Sequence, residues 1–307
     1  MSRIQQVLQK AERDGTMRRT RGVAGDVAPA RSAGVPVLVS PDDTLPLPVD
    51  LVETPPSRPR PAIAVRTEAA ARPHALLVAA TAPHSFAAER YRSLRTRIAQ
   101  AENGASRRLL MMTSPGRGEG KSMTTVNLGV TMAQEFHRRV VVVDADLRRP
   151  SVHALLGLPL GPGLSDVLLG GAALEEALVT LPDYRLTVLP AGLPPQQPTE
   201  LLGSASMRRV LDDLRAHFDR ILIDTPPAAP LADASVLLRV VDGVIVVVRA
   251  GLTPRPALER ALSEMDAAKM LGLVLNDAAG PEAGAYGYDY GYGDGDGSRR
   301  RANGAAR

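Results

Sequence analysis

The sequence contains no cysteine and no tryptophan among its 307 residues, and aromatic residues make up only 3%. The lack of cysteine excludes disulfides, thiolate metal sites, iron–sulfur clusters and thiol nucleophiles. A core must therefore be aliphatic, and the 44% of hydrophobic residues are sufficient for one. No apolar run approaches the ~20 residues that a membrane-spanning helix needs. The N-terminus does not resemble a secretory signal, so we expect a cytoplasmic location.

Charge along the chain gives little sign of a nucleic-acid partner. The net charge is only +4, and the arginines are concentrated in the first third and in the last few residues. Basic segments of this kind are equally compatible with a solvated or membrane-proximal position. We therefore expect no nucleic acid among the partners.

Composition divides the chain into four parts. The first has apolar residues at helical spacing, which predicts a short amphipathic helix that either docks on a partner or frays. The second is dense in proline, arginine and alanine, which predicts a flexible linker. A folded domain follows, and a tail rich in tyrosine, glycine and aspartate, with a basic end, closes the sequence. The predicted boundaries are 1–19, 20–80, 81–280 and 281–307.

The folded domain alternates short apolar runs with longer helical stretches. Aliphatic runs bounded by helices indicate strands that are covered on both faces. The pattern predicts an α/β fold with a mostly parallel twisted sheet, right-handed crossovers and ligands at the carboxyl ends of the strands. The predicted strands are 109–113, 140–144, 186–189, 221–224, 243–248 and 271–275. The predicted helices are 121–134, 199–218 and 255–270.

The segment SPGRGEGKS, residues 114–122, lies between a predicted strand and a predicted helix, where a phosphate-binding loop is expected. Its glycines let backbone N–H groups point at phosphate oxygens, and the helix adds its positive end. Lys121 can neutralise the β- and γ-phosphates, and Ser122 can ligate Mg²⁺. Pro115 replaces the first glycine of the strict pattern, and a turn without a ligand is the alternative. The predicted nucleotide-binding residues are Gly116, Arg117, Gly118, Glu119, Gly120, Lys121, Ser122 and Met123.

Three aspartates follow two of the predicted strands at the same sheet edge: Asp144, Asp146 and Asp224. Carboxylates beside a phosphate loop suit Mg²⁺, whose coordination shell phosphate oxygens and water complete. One of the first two can act as a base while the other holds the hydrated metal. An aspartate that ends a strand can also simply cap the next helix. Arg148 and Arg149 either clamp phosphate or a neighbouring subunit's carboxylate, or are solvated.

These segments together resemble the bacterial tyrosine kinases of capsule and exopolysaccharide systems, which have a phosphate-loop NTPase fold. The family's variant loop, S-x-x-P-G-E-G-K-S, matches at residues 118–122, with Arg117 in place of the proline. Its motif of three apolar residues and D-x-D-x-R matches 141–148, and its D-x-x-P motif matches 221–227. Further similarity covers PTELL at 198–202, DGVIVVVRAG at 242–251 and LGLVLND at 271–277.

The resemblance implies transfer of the γ-phosphoryl group of ATP, with Mg²⁺ as the second cofactor, to a tyrosine hydroxyl. Lys121 would spread the developing charge, and Asp144 would accept the phenol proton. Asp146 and Asp224 would hold the magnesium shell, with Ser122 as a direct ligand. The implied catalytic residues are Lys121, Asp144 and Asp146, and the implied metal-binding residues are Ser122, Asp146 and Asp224.

The segment ERYRSLR at residues 89–95 is similar to the family's E-x-x-R-x-x-R pattern. On a helix, Glu89, Arg92 and Arg95 form one charged stripe. The resemblance implies that this stripe assembles a homo-oligomeric ring of kinase domains. An ordinary solvated helix face is the alternative.

The tail YGYDYGYGDGDG has tyrosines at alternate positions among glycine and aspartate. Such a segment cannot form a core, exposes its phenols and is flexible enough to enter an active site. The resemblance implies that these tyrosines are the phosphoacceptors, and a sticky or spacer tail is the alternative. The implied acceptors are Tyr286, Tyr288, Tyr290 and Tyr292.

Family members with a fused membrane-spanning chain-length protein differ from this sequence. The resemblance therefore implies a separate membrane copolymerase as activator, which recruits the kinase to the inner face of the cell membrane, and a cognate tyrosine phosphatase as a further partner. Two other functions remain open. One is a partitioning ATPase, although its extra loop lysine is replaced here by Gly116. The other is a nucleotide-binding scaffold without catalysis.

Overall fold

A computed structural model describes the folded part of the chain. It covers residues 65–68, 72–102, 104–135, 138–228 and 232–278, together with the backbone of 35–39. The predicted N-terminal helix, 1–19, and the predicted acceptor tail, 281–307, lie outside these residues. No helix in the described ranges is long and apolar enough to span a membrane.

The described strands form one nine-stranded sheet in the order β1-β9-β8-β3-β7-β4-β6-β5-β2. Their bounds are β1 Val35–Val39, β2 Arg66–Thr67, β3 Leu109–Thr113, β4 Val140–Asp144, β5 Val179–Leu181, β6 Leu186–Leu189, β7 Arg220–Asp224, β8 Gly243–Arg249 and β9 Met270–Ala278. All neighbours from β9 to β6 are parallel. The edge strand β1 and the strand β5 pair antiparallel with their neighbours β9 and β6. The prediction of a mostly parallel sheet is confirmed.

Helices cover both faces of this sheet. Their bounds are α1 Val78–Thr81, α2 Phe86–Ala101, α3 Lys121–Ala133, α4 Val152–Leu156, α5 Leu164–Leu168, α6 Leu174–Ala177, α7 Pro198–Leu202, α8 Ala205–His217, α9 Ala232–Leu238 and α10 Arg255–Ser263. The helix predicted over 199–218 is two helices, because Ser204 starts α8 by accepting a hydrogen bond from the Met207 N–H. The helix predicted over 255–270 ends at Ser263.

The central strands are buried on both faces, as their continuous aliphatic sequences predict. Alternate residues of each strand point to opposite sides. In β3, Leu109 and Met111 belong to the core beneath α8 and α10, whereas Leu110 and Met112 belong to the core beneath α2 and α3. Gly129 lets α3 lie close to the sheet, because a Cβ there would come within 2.6 Å of Val142 Cγ2. The result is a three-layer arrangement of helices, sheet and helices.

The folded region begins earlier than the predicted boundary at residue 81. Leu77 is completely buried, and the amide of Asn127 holds the start of α1 by accepting from the Ala79 N–H at 2.9 Å and donating to the Leu76 carbonyl at 3.0 Å. The strands β1 and β2 also lie inside the range predicted as linker. That prediction is therefore wrong for these strands, since pairing with β9 and β5 orders short sequences that carry no strong signal of their own.

Candidate active site

The loop between β3 and α3 supplies the cradle of the site. Gly118 and Gly120 have positive φ angles of 74° and 88°, which lets the backbone turn tightly before the helix begins at Lys121. A Cβ on Gly120 would lie 2.0 Å from Asn276 Nδ2, so a larger residue does not fit there. The Asn276 amide donates to the Glu119 carbonyl at 2.9 Å and fixes the loop against the end of β9.

Lys121 lies at the centre of a cluster of polar side chains. Its Nζ is 3.0 Å from Asp146 Oδ2, 3.5 Å from Asp224 Oδ2 and 3.1 Å from Ser122 Oγ. Burial opposes the charge of the ammonium group, but Asp224 and Asp146 attract it and raise the pKa of Lys121. The lysine is therefore a cation held among the carboxylates that the sequence predicts as metal-binding.

Asp224 and Asp144 are register partners at the ends of β7 and β4. Burial raises the pKa of Asp224, and its Oδ2 accepts no hydrogen bond from the described residues. Its Oδ1 accepts from the Thr125 hydroxyl at 3.4 Å. Among the described residues no three His, Asp or Glu side chains form a self-sufficient metal cluster. A cation here would need further ligands such as the Ser122 hydroxyl, water or phosphate oxygens.

Asp144 is completely buried, and its carboxylate accepts hydrogen bonds from backbone N–H groups. Its Oδ1 accepts the Asp146 N–H at 3.2 Å, and its Oδ2 accepts the N–H groups of Ser151 and Val152, each at 3.0 Å. The carboxylate thus caps the start of α4, which is the alternative role that its position at a strand end suggests. Burial, with a smaller effect of Asp224, raises the pKa of Asp144 to about 7.

A cavity of about 330 Å³ opens beside this cluster. It is lined by Arg117, Gly118, Gly120, Lys121, Ser122, Met123, Asp146, Arg148, Arg149, Ser151, Leu155, Pro226 and Pro227. Most of the predicted nucleotide-binding residues are therefore brought together. Gly116 and Glu119 are not in the lining, and neither are the buried Asp144 and Asp224.

The side chain of Glu119, predicted to bind nucleotide, points to the end of β8 and is not part of the cavity lining. Its Oε2 accepts hydrogen bonds from the N–H of Arg249, the last residue of β8, at 2.7 Å and from the hydroxyl of Thr253 in the segment that follows. Glu119 therefore ties the phosphate loop to the neighbouring loop, and its carboxylate does not face the cavity. Sequence reasoning missed Arg249, Thr253 and Asn276, although the DGVIVVVRAG and LGLVLND segments contain the first and the last of them.

The two consecutive arginines after β4 have different surroundings. Arg148 Nε lies 2.5 Å from Asp233 Oδ2, and its NH2 donates to Thr199 Oγ1 at 3.1 Å. Asp233 is completely buried. Arg149 is exposed, and its guanidinium forms no hydrogen bond or ion pair with the part of the chain that the structure describes. Neither of the alternatives stated for this pair describes Arg148 fully, because its side chain is 39% exposed while its guanidinium is held by Asp233.

The predicted charged stripe lies on α2. Arg92 Nε donates to Glu89 Oε2 at 2.6 Å, and its NH1 donates to the Pro83 carbonyl at 2.9 Å. Arg95 crosses to the end of α3, where it donates to the Thr131 carbonyl at 2.9 Å and lies 3.1 Å from Glu135 Oε1. The stripe is thus partly engaged within the subunit, and its role in a ring stays a prediction.

The chain is similar in sequence and in fold to known proteins. A family model described as an AAA domain matches residues 109–265. The tyrosine-protein kinase YwqD of Bacillus subtilis (strain 168) is 36% identical over 227 residues, which cover 73% of this chain and 95% of the relative. The chain belongs to the bacterial tyrosine-protein kinases. CpsD, a tyrosine-protein kinase of Streptococcus agalactiae serotype III (strain NEM316), is 35% identical over 61% of this chain and 81% of its own.

Solved structures of this kinase family agree with the fold. The kinase domain of the Escherichia coli tyrosine kinase ETK aligns with a TM-score of 0.63 and 30% identity, over 70% of this chain and 85% of that one. Other family members are much longer, since the matched region covers 27% of the tyrosine-protein kinase ptk of Acinetobacter johnsonii. The family and the phosphate-loop fold predicted from the sequence motifs are confirmed.

Proposed function

We propose that this tyrosine kinase transfers the γ-phosphoryl group of Mg-ATP to tyrosines of its own tail. The single observation that carries the proposal is the position of Lys121, which lies in a phosphate-loop cavity beside Asp146 and Asp224. The proposed acceptors are Tyr286, Tyr288, Tyr290 and Tyr292, which lie outside the described residues. Family membership supports the reaction class, and the sequence of the tail supports the choice of acceptor.

The residues present fit a magnesium nucleotide. Asp224 Oδ2 is a buried carboxylate oxygen that accepts no hydrogen bond from the described residues, and it lies 3.5 Å from Lys121 Nζ. Ser122 Oγ lies 3.1 Å from the same nitrogen. Ser122, Asp146 and Asp224 would hold Mg²⁺, directly or through water, and the ion would neutralise charge on the phosphates. Lys121 would exchange its contacts with the carboxylates for contacts with phosphate oxygens. The loop amides before α3 would orient the phosphates.

Two aspartates are the candidates for accepting the proton of the tyrosine hydroxyl. A phenol has an ordinary pKa near ~10, so a carboxylate must take its proton during transfer at neutral pH. Asp144, the residue predicted for this role, has its pKa raised to about 7 by burial. Asp146 faces the cavity, whereas both oxygens of Asp144 already accept backbone N–H groups.

The assembly and location of the kinase belong to the same proposal. Transfer would occur to the tail of a neighbouring subunit in a ring assembled through Glu89, Arg92 and Arg95, and accumulating phosphate, at about −1.5 to −2 charges per tyrosine, would weaken the ring. A separate membrane copolymerase would recruit the kinase from the cytoplasm to the inner face of the membrane, where it regulates exopolysaccharide or capsule polymerisation. A cognate tyrosine phosphatase would reverse the modification.

Measuring the amount of phosphotyrosine formed with Mg-ATP tests this proposal. We expect incorporation by the wild-type chain and none by Lys121→Met. Asp146→Asn and Asp144→Asn should both lower the rate, and the variant that keeps ATP affinity but loses the rate identifies the base.

Dilution below the assembly concentration should slow transfer if it occurs between subunits. ATP binding without phosphotyrosine, with the activator present, would instead indicate a nucleotide-binding scaffold.

A further inference from the structure

Two arginines of the cavity lining have no partner within the described part of the chain. Arg117, in the phosphate loop, and Arg149, after β4, are both exposed, and neither guanidinium forms a hydrogen bond or ion pair there. The third arginine of the lining, Arg148, is held by the buried Asp233. The cavity therefore has two cations at its surface that are not paired with any residue the structure describes.

The backbone of Arg149 is fixed next to the reacting groups. Its N–H donates to the Oδ1 of Asp146 at 3.1 Å, while the other oxygen of that carboxylate lies 3.0 Å from Lys121 Nζ. The backbone of Arg149 is thus held directly beside Asp146, the residue whose carboxylate contacts Lys121. A ligand that reaches this lysine from the exposed side of the cavity can interact with a guanidinium that no described residue pairs.

The part of the tail that contains the tyrosines, residues 281–298, has the complementary charge. Its acidic residues lie before, between and after the tyrosines, and no lysine or arginine occurs between residues 279 and 298, whereas four arginines follow at 299–301 and 307. The acidic residues of this stretch are Glu282, Asp289, Asp294 and Asp296. A polypeptide of this sequence is negatively charged around each phenol, and the four acceptors therefore share one electrostatic signature.

We infer that Arg149, assisted by Arg117, recognises the acidic residues that flank the acceptor tyrosines. The substrate class of this site is then tyrosine in an acidic, glycine-rich segment. This inference rests on the proposed function, because it names the group that positions the acceptor. Arg148, which the sequence offers equally for this role, is excluded by its pairing with Asp233 and Thr199.

A double-mutant cycle in the full-length chain tests the pairing. The proteins are wild type, Arg149→Gln, a tail variant with Asp289, Asp294 and Asp296 changed to asparagine, and their combination. The readout is the initial rate of tail phosphorylation at saturating Mg-ATP, with ATP affinity measured separately. Arg239→Gln is the matched control. Arg239 is also exposed, but it lies before the start of β8, whereas the cavity lies at the ends of the parallel strands.

Each single change should slow phosphorylation about two- to fivefold, the range of exposed ion pairs, and the combination should be no slower than either alone. Arg149→Lys should keep most of the rate because it keeps the charge, and added salt should weaken the wild type more than Arg149→Gln. Additive losses would overturn the inference. So would a loss of ATP affinity that accounts for the slower rate, since Arg149 would then bind the nucleotide. A wild type that is not phosphorylated at all would contradict the proposed function itself.

Discussion

Arg148 and Asp233 form an ion pair between the segment after β4 and helix α9, with Nε 2.5 Å from Oδ2. The carboxylate is completely buried, whereas the arginine side chain is 39% exposed. Thr199, at the start of α7, donates to the same carboxylate. The pair thus joins the D-x-D-x-R and PTELL segments, and it holds the guanidinium of Arg148, which also lines the cavity, against α9.

Arg148→Gln should destabilise the protein by about 1 to 2 kcal/mol, because it leaves a buried carboxylate with only the hydroxyl of Thr199. The partial exposure of the arginine keeps the loss below that of a fully buried pair. Arg149→Gln is the control and should change the free energy of unfolding by less than about 0.5 kcal/mol. Urea unfolding measures both. Equal stability of the two variants would show that the pair contributes nothing.

Glu119→Ala should weaken nucleotide binding roughly tenfold, or by about 1 to 2 kcal/mol. The substitution removes the acceptor for the Arg249 N–H and the Thr253 hydroxyl and frees the phosphate loop from its neighbour. Glu264→Ala, at an exposed glutamate after α10, provides the control. Titration with a fluorescent ATP analogue measures the affinities. Unchanged affinity in Glu119→Ala would mean that the loop keeps its shape without this anchor.

Gly120→Ala should be far more damaging than Gly118→Ala, although both glycines have positive φ. At Gly118 the new Cβ meets no atom within 4 Å, so only the backbone strain of about 1 to 2 kcal/mol remains. At Gly120 the Cβ also collides with the Asn276 amide. Thermal unfolding and ATP binding should both separate the variants. Similar losses would contradict the close approach of β9 to the loop.

The stability of the nucleotide-free protein should fall as pH rises from about 4 towards 7. Folding raises the pKa of Asp144 from 3.8 to about 7, so the folded state holds a proton that the unfolded state releases. The resulting stabilisation is complete below pH 3.8 and is lost as pH approaches 7. Asp224 shifts in the same direction. Thermal unfolding of wild type and Asp144→Asn between pH 5 and 8 measures the effect, and equal pH slopes would contradict it.

Much of the fold follows from local sequence. The strands β3, β4 and β6 have the predicted bounds, because continuous aliphatic runs bounded by helices have few other solutions in a parallel sheet. The short strands β1, β2 and β5 were not predicted, since their order depends on neighbours distant in sequence. The division at Ser204 was missed as well, although a serine after a glycine is a recognisable helix start.

The site was predictable in part for the same reason. Motifs place Lys121, Asp146 and Asp224 at the ends of adjacent elements, and in the structure Lys121 Nζ lies 3.0 Å from Asp146 Oδ2 and 3.5 Å from Asp224 Oδ2. Contacts between residues far apart in sequence were not predictable. The Arg148 and Asp233 pair spans 85 positions, and the Glu119 and Thr253 contact spans 134. Single-sequence patterns contain no signal for such pairs.

The central claim is that the tail tyrosines receive the phosphoryl group, and site-resolved mass spectrometry tests it most directly. Full-length protein is incubated with Mg-ATP beside Lys121→Met and a variant with phenylalanine at the four tail positions. The account predicts phosphate at Tyr286, Tyr288, Tyr290 or Tyr292 in the wild type, and none in either variant. Phosphotyrosine that persists in the phenylalanine variant at the wild-type level would contradict the account.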